Sequence, residues 1–311
     1  MHRDRTPCHQ KLRACGREEH GVEDLPGIGK IRRKEGRSLS ASATEPPTPR
    51  DEWYRETPPP RPLADCVVSL WDMRIPAIPG VTQVRIAPNA CVDIVLYASE
   101  PSRGLGVAKI VAPPHRSYVV GSTLRAFIVR SVGWRHVIGA SLAPEGVEPL
   151  LGIPAGVIGE SVAMLHDIIG NDAGLIEERV LDGSAEGALR RLADVLWERR
   201  RAAPPPDPTV GRAAAMVREA AGRKRMDALT ADLDVSARSL ERKFLTHVGM
   251  SPKLFSRLVR FDRVMRDLSR RGQTSWTQFA LAHGYTDQAH FINEFREFAG
   301  VTPEEFEREN A

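Results

Sequence analysis

Two stretches of the chain stop a helix in the same way. FLTHVGMSPKLF runs from Phe244 to Phe255, and FREFAGVTPEEF from Phe295 to Phe306. Laid on each other at an offset of 51 residues, Phe244 meets Phe295, Gly249 meets Gly300, Pro252 meets Pro303 and Phe255 meets Phe306. A glycine just past a helix end adopts the left-handed conformation that terminates it. Ser or Thr then caps the next helix, and Pro suits its first position. A chain with this punctuation twice must stop one helix and start another twice, so a duplicated helical unit is the strongest constraint on its fold.

The pattern around each copy predicts the rest of the unit. In the first, RMDALTADL is a short helix, DVS a turn with Ser236 as cap, and ARSLERKFLTHVG a second helix. Ala237, Leu240, Phe244 and Val248 recur at helical spacing and form its inner stripe. At 100° per residue, Arg238 and Arg242 lie nearly opposite Leu240. In the second, SWTQFALAHG is the short helix, Asp287 the cap, and QAHFINEFREFAG the outward helix. Its inner stripe is Phe291, Phe295 and Phe298, and Ala289, Asn293 and Arg296 face out beside His290. Between them, SPKLFSRLVRFDRVMRDLSRRG reads as one long helix whose apolar side is Leu254, Leu258, Phe261, Met265 and Leu268.

A short helix, a tight turn and a capped second helix form a helix-turn-helix, whose second helix enters the major groove. Its outward side chains must then suit base edges or phosphates, as Arg does for guanine. The candidate DNA-binding residues are Arg238, Ser239, Arg242 and Lys243 in the first unit, and Gln288, His290, Asn293 and Arg296 in the second. A plain bundle with solvated arginines is the competing reading, and the matched pair of capped outward helices weighs against it. Charge is uneven: residues 212–271 hold fifteen Lys and Arg against seven Asp and Glu, and residues 272–311 hold two against seven. Phosphate neutralisation dominates non-specific affinity, so the first unit is expected to anchor the protein and the second to read weakly or touch another protein.

Upstream, the composition changes. Residues 1–62 are polar, charged and Pro-rich and read as a disordered arm. Within it, LPGIGKIRRK has the turn of a helix-hairpin-helix, but its flanks lack apolar faces. From Leu63 to about Arg135, CVVSLWDM, CVDIVLYA, KIVA, SYVVG and AFIVRSVG read as strands. From Pro144 the period turns helical, through EGVEPLLG, SVAMLHDIIG and AGLIEERVL to the amphipathic SAEGALRRLADVLWERRR. That last helix could pack on its own domain or pair with its copy in a homodimer. AAPPPDP follows as a semi-stiff linker. The chain therefore divides into an arm (1–62), a β-rich regulatory domain ending in helices (63–201), a linker (202–208) and an all-α domain (209–311). The fold class is α+β.

At this point the residues resemble a known family. ALAHGYTDQAHFINEFREFAGVTPEEF is similar to the signature of the AraC/XylS transcription regulators, with Ala280, Gly284, Tyr285, Asp287, His290, Phe291, Phe295, Gly300, Thr302, Pro303 and Phe306 in place. The resemblance covers about 100 residues. Asn293 stands where a basic residue is usual, and Glu307 where an Arg commonly follows the final aromatic. The resemblance implies sequence-specific binding to double-stranded DNA to regulate transcription; separately, the charge asymmetry leaves RNA polymerase as an example of a protein that the second unit could touch. LWDMRIP, APNACVDIVLYA, VVGS and IGASLAPEGVEPLLGIPAGVIGESV look like a domain attached to such regulators, although Pro88 to Asp93 depart from a more usual Pro-Asp-Gly turn. That implies a sensor of a small-molecule effector or a partner.

Other classes find less support. Cys8, Cys15, Cys66 and Cys91 form no CxxC, which suits a reduced, cytoplasmic chain. His115, His136 and His166 are isolated, so no metal is expected. Cys66 and Cys91 read as core. Trp71, Trp134 and Tyr97 could line a pocket but suit a core better. No catalytic arrangement or cofactor motif is visible, so the chain is read as a non-enzyme. A repair enzyme with a DNA-binding appendix would need a zinc-bound Cys cluster or a Pro-Cys-His-Arg nucleophile, and TPCHQ has Gln10 in the Arg place. An interaction protein with weakened DNA readout is the other alternative. The start of the chain lacks the apolar run of a signal peptide, and no stretch approaches the ~20 apolar residues of a membrane span.

Overall fold

The computed structural model describes residues 12–15, 54–75, 81–99, 116–132 and 135–309. Most of the arm, the KIVA strand, His115 and Trp134 lie outside the described residues. The fold is α+β. The described residues hold nine strands, the last of them after the first two α-helices: β1 (Leu12–Cys15), β2 (Tyr54–Thr57), β3 (Val67–Ile75), β4 (Val81–Ile86), β5 (Val92–Tyr97), β6 (Ser117–Val120), β7 (Phe127–Val132), β8 (Arg135–Leu142) and β9 (Val162–Met164). They form two antiparallel sheets, ordered β2-β3-β8-β5-β6-β9 and β1-β4-β7.

Five helices cover one face of the larger sheet: α1 (Val147–Leu151), α2 (Ala155–Ile158), α3 (Leu165–Ile169), α4 (Asn171–Leu181) and α5 (Ala185–Ala202). Alternate residues Val92, Ile94 and Leu96 of β5, and Ile138, Ala140 and Leu142 of β8, bury against Leu150, Ile176, Leu192 and Leu196. Helix α5 turns Ala188, Leu192, Val195 and Leu196 into this core, so it packs on its own domain. Trp71 is buried with its ring against Gly139, where any Cβ would collide with the indole and with the Ile94 carbonyl. Cys66 and Cys91 are both buried.

Several elements differ from the sequence expectation: β1 lies inside the stretch read as a disordered arm, and β4, whose VTQVRI was not read as a strand, pairs with both β1 and β7. Tyr54–Thr57, inside the stretch read as a disordered arm, pairs along β3 and edges the larger sheet. Central strand β8 was hidden because Gly139, Ala140 and Ser141 dilute its apolar signal, and both its faces are covered. SVAMLHDIIG does not form a single helix: Val162–Met164 pair with the open edge of β6 before α3 begins.

Seven further helices follow: α6 (Pro208–Glu219), α7 (Met226–Leu233), α8 (Ala237–His247), α9 (Pro252–Leu268), α10 (Trp276–Ala282), α11 (Gln288–Ala299) and α12 (Pro303–Glu309). Their core is phenylalanine-rich. Phe244 meets Phe255 edge-on at 5.7 Å, and Phe261 meets Phe295 at 5.5 Å. Each buried ring is worth roughly 1.5–3 kcal/mol of transfer free energy. Ala87, from the loop after β4, also belongs to this second core.

Candidate DNA-binding surface

Each unit is built by local backbone chemistry. In the first, Asp234 takes the left-handed conformation after α7 (φ 53°), which Asp tolerates better than most residues. The Ser236 hydroxyl then accepts the Ser239 amide at 3.2 Å and starts α8. In the second, Gly284 makes the turn after α10 (φ 79°), and Asp287 Oδ1 accepts the His290 amide at 2.8 Å to start α11. That backbone bond holds the Asp287 carboxyl below the usual carboxylate range. Gly249 and Gly300 end the two helices in left-handed conformations, and Ser251 caps α9. Thr302 and Glu305 form a reciprocal capping box at α12.

The outward faces match in register. At the 51-residue offset, Arg238, Arg242 and Leu245 of α8 correspond to Ala289, Asn293 and Arg296 of α11, and all six are exposed. Neither the Arg238 nor the Arg242 guanidinium has a partner among the described residues. Leu245 is 51% exposed and was absent from the sequence candidates, because helical spacing alone does not distinguish an outward leucine from a core one. Such an apolar side chain can meet a thymine methyl. Ala237, expected on the inner stripe, is exposed at the first turn.

The remaining candidates have internal duties. Lys243 pairs with Asp207, the carboxylate that caps α6. Ser239 gives its amide to the Ser236 cap. Gln288 accepts from the Thr277 hydroxyl at 2.7 Å, and the His290 ring sits edge-on to Tyr285 with Nδ1 at 3.1 Å from the Thr286 hydroxyl.

The acidic excess of residues 272–311 is largely neutralised internally. Glu294 is 4% exposed and receives Arg257 at 2.7 Å and Arg260 at 2.8 Å, both from α9. Arg257 also pairs with Glu297. Glu307 receives Arg271 at 2.8 Å, and Arg271 in turn lies 4.0 Å over the Trp276 ring. Asp287 and Glu305 are spent on helix caps. Summing charge by segment therefore overstates the contrast between the units, because arginines of one segment pair with glutamates of the other.

Two capped helix-turn-helix units share one helical scaffold beside a β-rich domain. Comparison with known proteins gives the type. A family model described as a helix-turn-helix domain matches residues 229–309, and a model of a domain of unknown function, DUF6597, matches residues 55–163. The C-terminal region is thus similar to a helix-turn-helix domain, and the region before it to the DUF6597 domain. No curated protein sequence matches the chain. Among solved structures, ToxT from Vibrio cholerae is similar at 13% identity over 78% of this chain and 98% of its own, with a TM-score of 0.44. ToxT from strain SCE256, bound to an unsaturated fatty acid, is similar at 12% identity over 76% and 92%, with a TM-score of 0.39. The xylose-binding transcription activator xylR is similar at 18% identity over 42% and 40%, with a TM-score of 0.30. Among the described residues, no helix is long and apolar enough to cross a membrane.

Proposed function

We propose that the chain reads DNA with α8 and α11 in successive major-groove segments, and that the domain of residues 63–201 tunes this readout in response to a small molecule or a partner. The observation that supports it best is the pair of exposed guanidiniums, Arg238 and Arg242, without partners among the described residues, on a helix held at its start by Ser236 and at its end by Gly249. A guanidinium fork fits guanine O6 and N7, and each such contact discriminates by about 1–3 kcal/mol. On α11, Asn293 has the amide that suits adenine, and Arg296 suits a base or a phosphate. The test is selection of bound sequences from random duplexes, followed by the same selection with Arg238→Ala and Arg242→Ala. Each variant is expected to lose preference at one base. Unchanged motifs from both variants would remove α8 as the reading helix.

A further inference from the structure

The β-rich domain holds both reading helices, each at its C-terminal end. The last four carbonyls of a helix have no partner within it. On α11, two of these are served from the other domain. The Ala126 amide, just before β7, donates to the Phe298 carbonyl at 2.7 Å, and the Arg85 guanidinium of β4 donates to the Ala299 carbonyl at 3.0 Å. Arg85 also pairs with Glu309 of α12 at 3.2 Å. A cation here complements the negative end of the helix.

On α8 the contact is made through backbone. Gly156 of α2 lies so close to the last turn of α8 that a Cβ would stand 2.3 Å from the Leu245 carbonyl and 2.6 Å from that of Thr246. Beside it, Glu148 of α1 meets His247 Nδ1 at 2.8 Å, and Glu145 takes the Arg218 guanidinium of α6 with two prongs.

We infer that the β-rich domain is a splint that fixes the distance and angle between the two reading helices, and so sets the operator spacing the chain accepts. Arg85, Ala126, Glu148 and Gly156 are its positioning residues. The inference rests on the reading above that both helices enter DNA. One inserted base pair shifts the second segment by ~3.4 Å and rotates it by about 35°. A pair of helices held at both ends cannot follow that change, whereas a pair joined only through α9 has more freedom to do so.

The experiment uses the full chain and the operator it selects, with one base pair inserted or removed between the two protected segments. The wild-type chain is expected to lose about tenfold or more in affinity on either change. Arg85→Ala should bind the native spacing within about threefold of wild type and lose about threefold or less on the altered ones. Arg85→Lys, which keeps a donor for the Ala299 carbonyl, should restore part of the discrimination. Gly156→Ala, which wedges α2 off α8, should relax spacing from the other end and serves if Arg85→Ala does not fold. Folded variants that keep the wild-type spacing ratio, or a footprint covering only one groove segment, would overturn the splint. A selection that recovers no sequence at all refutes DNA reading itself, and the splint with it.

Discussion

Arg242 and Lys243 are neighbours on one helix with opposite commitments. Arg242 is exposed and has no partner among the described residues, whereas Lys243 is half-buried and bound to Asp207. Arg242→Ala should change the selected motif and, if it also touches a phosphate, lower the salt slope by about one. Lys243→Ala should leave the motif unchanged and cost about 1 kcal/mol or less of stability, as a partly exposed ion pair does. A motif change in Lys243→Ala, measured by the same selection, would reverse these roles. Cys66 supplies a pH signature. Its burial, and then the charge of Asp65, push the thiol up from 9.0 to about 12. A group raised on folding stabilises fully below its unfolded pKa and loses that contribution as pH climbs through the folded one. Thermal stability of the wild type should therefore fall relative to Cys66→Ala between pH 9 and pH 12, and parallel melting curves across that window would contradict the assignment.

At the scale of elements, the joint between α9 and α11 rests on one buried carboxylate. Glu294 holds both Arg257 and Arg260, and these also lie over the Phe298 and Tyr285 rings at 4.9 Å and 4.5 Å. Removing one partner from such a cluster leaves uncompensated charge, at a cost of roughly 3–5 kcal/mol. Glu294→Gln should lower the urea midpoint accordingly, and an unchanged midpoint would show that the arginines find water instead. The helices of both units were legible in sequence, because Ser236, Gly249, Ser251, Asp287 and Gly300 act on their own backbone neighbours. So were the outward arginines, which follow from angle alone. Glu294 was not: it stands at i+3 from Phe291 on the inner stripe, a place that spacing reserves for apolar residues, and only Arg257 and Arg260 of α9 explain a carboxylate there. Strands β2, β8 and β9 were illegible for a related reason, since each is defined by pairing with another strand and not by an apolar pattern of its own. Leu245 joined the surface only once neighbouring helices were seen to leave it uncovered.

Residues 203–207 separate α5 from α6, and we propose the linker read over 202–208 as the domain boundary. Yet the bodies on either side meet through Arg85, Ala126, Glu145, Glu148 and Gly156. Proteolysis within the linker should therefore give two fragments that co-elute on gel filtration and separate only in denaturant. Prompt separation under native conditions would show that these contacts do not hold the bodies together. The bridge from Arg85 to Glu309 also bears on how the chain is made. At ~5–20 residues per second, a ribosome needs roughly ten to forty-five seconds after Arg85 to reach Glu309. Throughout that interval the Arg85 side of the β-rich domain is without its partner helix, so nascent chains of this protein are expected to depend on chaperones at that one surface.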